Sequence, residues 1–107
     1  YGDYKFLDTD EVLFLKADNN TTDFICADGS KISAFKSLKY FQDTLPNHFV
    51  RVHNSYIVNS RYISRIHFGK SHCMMTHCDY AVPFSKSYRD QVEGIKNTLT
   101  TQSMVIG

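Results

Sequence analysis

Residues 49–59 read FVRVHNSYIVN, and the order of apolar and polar residues within them decides the fold. Phe49, Val50 and Val52 stand before a polar triplet, and Tyr56, Ile57 and Val58 stand after it. Branched and aromatic residues in two short runs predict two strands, Phe49–Val52 and Tyr56–Val58. The triplet His53-Asn54-Ser55 is too polar to share their core and has to be presented at the surface on a rigid base. Two readings of it stay open on spacing alone. Asn54 and Arg51 carry the donors and acceptors that recognise adenine, guanine or phosphate. Alternatively the triplet is a plain turn, in which an asparagine tolerates a left-handed backbone.

Upstream, Pro46 closes a short helix that Ser37 can cap, with Leu38, Phe41 and Leu45 forming one apolar stripe. Before it, Asp28-Gly29 between FICA and KISA marks a hairpin. Residues 4–7 (YKFL) and 11–17 (EVLFLKA) read as strands, separated from the hairpin by the turn signal Asp18-Asn19-Asn20. Downstream, Asn59 caps one helical turn, Ile63–Phe68 and His72–Thr76 form a second hairpin around Gly69-Lys70, and Tyr80–Phe84 is a last strand. Ser85 opens a final helix over about Lys86–Asn97, with Tyr88, Val92 and Ile95 inward. Residues 98–107 lack periodicity and are expected to fray. The expectation is a mainly β domain over residues 1–97 with two short helices. Phe49, Val50, Val52, Tyr56, Ile57, Val58, Ile63 and Ile66 belong to its core.

Composition narrows the function. No apolar run has membrane-spanning length, and no secretory leader opens the chain. The chain begins with Tyr1 rather than Met, which reads as a piece of a longer protein with the missing part upstream. Three cysteines, Cys26, Cys73 and Cys78, form no disulfide framework and point to a reducing, cytoplasmic setting. Reduced thiols are favoured over a Cys73–Cys78 bridge. The net charge of +1 hides a bias: residues 44–89 hold six Lys or Arg and all five His against Asp79 alone. A polyanion would feel that block rather than the whole chain.

No nucleophile elbow, phosphate loop, dinucleotide fingerprint or HExxH is present, and the acids are scattered over turns, so catalysis and a cofactor are not expected. His72-Cys73 and His77-Cys78 form an HCxxxHC pattern that a turn would have to close into a metal site. The competing reading is a hairpin whose Cys73, Met75 and His77 share one face.

Three pieces together resemble the LytTR family of DNA-binding domains: EVLFLKAD, DFICADGSKISAFKSLKYFQDTLPNHFVRVHNSYIVNSRYISRI and YAVPFSKSY. The central one carries a helix ending in L-P-x-x-F, a strand R-V-H-x-S-Y-I-V-N and then I-x-x-I. The resemblance spans about residues 3–90. It implies an elongated β fold that inserts loops into successive major grooves of double-stranded DNA, usually at direct repeats, as a dimer on DNA. It also implies a receiver domain upstream in a two-component regulator. Base contacts are implied at Asn20, Thr21 and Thr22, at Asn54 with Arg51, His53 and Ser55 beside it, and at Ser85 and Lys86. Asn54 is the first choice for a base edge. Ser85, Lys86, Arg51, His53 and Arg61 are expected to hold phosphate or to position the loops. Relatives often carry His, Tyr or Arg in the first loop, Arg at the position of Asn54 and at that of Lys86, and Glu at that of Lys16. The rival class is a protein-interaction or sensing module of the same fold.

Overall fold

The computed structural model describes residues 6–104 and residue 106. Five strands, β1 (Val12–Asp18), β2 (Thr21–Cys26), β3 (Lys31–Ala34), β4 (Phe49–His53) and β5 (Tyr56–Asn59), form an antiparallel sheet of order β3-β2-β1-β5-β4. A second antiparallel sheet has the order β6 (Ile63–His67), β7 (His72–Met75), β8 (Ala81–Pro83). Helix α1 (Leu38–Thr44) links β3 to β4, and α2 (Arg89–Gln102) follows β8. Extents of 50 × 26 × 23 Å give the elongated outline that the family resemblance implies.

The large sheet is covered on both faces. Val12, Leu15, Phe24, Cys26, Phe49 and Ile57 pack under Leu38 of α1, with Phe41 and Leu45 at the margin. Leu13, Phe14, Val52, Tyr56 and Val58 pack against Cys73, Met75, Val82 and Phe84 of the small-sheet region and Val92 and Ile95 of α2. A bulge makes this double duty possible. Val12 pairs with Cys26 and Phe14 with Ile25, so Leu13 is an extra residue in β1. The bulge turns Leu13 and Phe14 to one face and leaves Val12 and Leu15 on the other. All four are therefore buried, each contributing about 1.5–3 kcal/mol of transfer free energy.

Local signals are obeyed where the chemistry is local. The Ser37 side chain accepts from the Tyr40 amide and caps α1. Gly29 takes φ 88° in the β2–β3 turn. Asn59 caps a 3₁₀ turn at Ser60–Tyr62. Of the expected core, Phe49, Val52, Tyr56, Ile57 and Val58 are buried, while Val50, Ile63 and Ile66 are half-buried at its margin. Phe6 and Leu7 do not lie in a strand, and the rest of the segment predicted over 4–7 falls outside the described residues.

The last helix departs from its expected end. It runs to Gln102 rather than Asn97, so residues 98–102 are not a frayed tail. Leu99 extends the Val92–Ile95 stripe and packs against the core. The hydroxyls of Thr98 and Thr100 donate to carbonyls four residues back, which lets a threonine-rich turn stay helical.

The second hairpin buries Cys73 and Met75, but His77 leaves their face at φ 66° and is exposed. The three cysteines are free thiols. Among the described residues no three of His, Cys, Asp and Glu converge in the manner of a metal site. Burial pushes the Cys73 thiol up to about 11 from an ordinary 9.0. Near neutral pH, a small alkylating reagent should therefore modify half-exposed Cys78 well before Cys73, because the thiolate is the reactive form. The folded value lies above the unfolded one, so this contribution to stability is intact below pH 9 and is lost as pH rises toward about 11. Equal alkylation rates for the two thiols in the folded chain would contradict this placement.

Candidate nucleic-acid interface

Strand register brings three separate segments to one end of the large sheet. Lys16 pairs with Tyr56, and the Ala17 amide donates to the Ser55 carbonyl at 2.9 Å. The β1–β2 turn (Asn19, Asn20) and the β4–β5 turn (Asn54, Ser55) are therefore neighbours. The Ser85 amide donates to the Val52 carbonyl at 3.0 Å, which docks the 3₁₀ turn Lys86–Tyr88 beside the end of β4.

The β4–β5 turn is held by its own side chains. Arg51 Nε donates to the His53 carbonyl at 2.9 Å and Nη2 to the Asn54 carbonyl at 2.6 Å, while Nη1 donates to Gln42 Oε1 at 2.8 Å. Its guanidinium lies 5.9 Å from the centre of the Tyr88 ring. His53 Nδ1 accepts from the Ser55 amide at 3.0 Å, and its ring meets Tyr56 edge-on. A second bulge sits here: Arg51 faces Ile57 and His53 faces Tyr56, so Val52 is the extra residue and goes into the core. Below the turn, the Tyr56 and Tyr80 hydroxyls are 2.6 Å apart, joining the two sheets. Burial first, and then that hydrogen bond, push Tyr56 up to about 12.

Asn54 is exposed at the tip. Among the described residues the non-glycine positions with positive φ are Asn19, Ser71 and His77, so the backbone does not require an asparagine at 54. Asn54 and Ser55 do form a turn, but the left-handed backbone that favours an asparagine occurs at Asn19 (φ 52°) rather than at Asn54. Asn54 Oδ1 accepts a long bond, 3.4 Å, from the Tyr88 hydroxyl. That contact orients the amide yet leaves a lone pair and both N–H groups for a ligand.

The remaining candidates divide. Asn20 and Lys86 are exposed and Thr21, Ser55 and Ser85 half-buried, all at this end. The Thr21 hydroxyl donates to the Asp18 carbonyl, and Lys86 forms no ion pair among the described residues. Thr22 has no exposed surface, and its hydroxyl donates to the Lys36 carbonyl at 2.8 Å; it belongs to the support of the loop. Arg61 is at the opposite end of β5, 4.0 Å from Asp10. There it also bears on His48, whose imidazole is held below its ordinary value by burial first and then by the Arg61 charge. The bracing role of Arg51 was not visible in sequence, because its partners lie on α1, on the turn backbone and beside α2.

The model of the LytTr DNA-binding domain family matches residues 2–97, and the chain belongs to that family. A solved structure of similar fold is the LytTr DNA-binding domain of a Bacillus cereus chain whose name assigns it to a methyl-accepting/DNA response regulator. The two are 26% identical, with a TM-score of 0.75, and the match covers 84% of each chain. No curated protein matches the sequence. No helix among the described residues is long and apolar enough to cross a membrane.

Proposed function

We propose that the chain is the DNA-reading output domain of a two-component transcription regulator, and that it reads base edges with loops rather than a helix. The observation that carries this is the β4–β5 turn, which displays Asn54 on a framework built from Arg51, His53 and Tyr88. An asparagine amide matches the N6 and N7 edge of adenine in the major groove. The β1–β2 turn with Asn20 and Thr21 lies to one side of Asn54, and Ser85 and Lys86 lie to the other. Lys86 supplies a charge to the phosphate backbone. The three segments lie at one end of the large sheet, which suits approach to the duplex by that end. One such end is small and only modestly basic, so two copies on direct repeats supply the affinity that one lacks. A receiver domain upstream and action in the cytoplasm complete this reading.

Salt titration of binding to a duplex selected by the wild-type chain tests it. Asn54→Ala is expected to lose discrimination between that duplex and a scrambled one, by about 1–3 kcal/mol, with the salt slope kept. Lys86→Ala should weaken both and reduce the slope by about one. Equal affinity of Asn54→Ala and wild type for the selected duplex would remove Asn54 from the base contact. Failure of the wild-type chain to select any duplex would favour a protein-interaction module.

A further inference from the structure

The segment after β3 also reaches the reading end, because Ala34 pairs with Thr22. It places Phe35 there with 85% of its surface exposed. Phe35, Lys36 and Lys39 line one wall of a groove of about 460 Å³, whose other walls include Asn20, Arg51 and Asn54. A phenylalanine this exposed contributes little to the fold, and its place in the groove beside Asn54 leaves its ring open to a ligand.

We infer that the β3–α1 turn is a fourth DNA-contacting segment, in which Phe35 packs on the methyl group of a thymine and the two lysines approach the neighbouring phosphates. The inference rests on the reading of the chain as a DNA-binding domain. The thymine methyl is the apolar group that base edges offer in the major groove, and phenylalanine is among the side chains that match it. The charges near Phe35 suit a polyanion. Lys36 Nζ sits 4.8 Å from the centre of the Tyr40 ring and forms no ion pair among the described residues. Lys39 pairs with Asp43 at 3.0 Å, but both are well exposed, and such a pair yields readily to a phosphate. Among the described residues no acid lines the groove; Asp23 nearby is buried and accepts from the Ser33 hydroxyl.

The wild-type chain and Phe35→Ala should each be used to select from a randomised duplex pool. Affinities are then measured for the wild-type winner and for copies in which each thymine in turn is replaced by deoxyuridine. The wild type is expected to lose about fourfold at one thymine, the size for one buried methyl group. Phe35→Ala should lose at least as much on the parent duplex, show no further loss on the uracil copy, and select sequences without that thymine. Its melting temperature should match the wild type, since the side chain is exposed. The same uracil penalty in both proteins, or wild-type affinity in Phe35→Ala, overturns the inference. Loss of selectivity in Asn54→Ala alongside wild-type behaviour in Phe35→Ala removes the Phe35 contact and leaves the DNA-reading function standing. If the wild-type chain selects no duplex, both fall.

Discussion

Arg51→Ala is expected to weaken binding to the selected duplex by roughly 30-fold while leaving the salt slope nearly unchanged. The side chain makes three hydrogen bonds, two of them to carbonyls of the turn it braces. Without them the turn samples other shapes, and the freedom lost on binding is added to the free energy of association. The effect on the fold should be smaller, on the order of 1–2 kcal/mol, because the guanidinium is only half-buried and water replaces part of what is removed. Arg51→Lys should recover little, since one ammonium cannot reproduce a planar fork aimed at three acceptors. The slope separates the two roles open to this residue. A fall of about one in the slope would make Arg51 a phosphate contact, and unchanged affinity would deny it either role.

The largest loss of stability is expected at Asn59. It is 1% exposed, its Nδ2 donates to the Val12 carbonyl at 2.9 Å, and its Oδ1 accepts from the Arg61 amide at 3.0 Å. Asn59→Ala removes a cap worth about 1 kcal/mol and leaves a buried carbonyl unpaired for about 1–3 kcal/mol more. A total near 3 kcal/mol corresponds to a fall in melting temperature of roughly 12–20 °C for a domain of this size. Asn59→Asp keeps the cap acceptor but brings a carboxylate oxygen against the Val12 carbonyl, so it should rescue nothing. Urea denaturation checks both, and a loss under about 1 kcal/mol in the alanine variant would mean that the Asn59–Val12 bond contributes little. DNA affinity per folded molecule should be nearly unchanged, because Asn59 lies at the far end of β5 from the turn.

These two residues show how far the sequence could be read. Asn59 was legible as a cap because Asn-Ser-Arg-Tyr after a strand is a local pattern. Its bond to Val12 spans 47 residues and was not. The hairpin at Gly29, the Ser37 cap and the inward Cys73 and Met75 were legible for the same local reason. The burial of the whole stretch VLFL was not, since it depends on a bulge defined by pairing with β2. The threonines at 98, 100 and 101 hid the last turn of α2, whose stability comes from Leu99 reaching the core. Within the site, Asn54 was picked out for its side chain and its family position. Thr22 is grouped with it through the family's first loop, and Arg61 through its charge. Strand register places the first under the loop and the second at the end of β5 away from the turn.

The bracing of the β4–β5 turn has an evolutionary corollary. Its shape is written in Arg51, His53 and Ser55, and the backbone at 54 has no left-handed requirement. Scaffold and letter are thus separate. A substitution at 54 changes what is displayed to the duplex without refolding the arm that displays it. On the proposed reading, selection can therefore move this domain from one operator sequence to another in single steps, each passing through a folded intermediate.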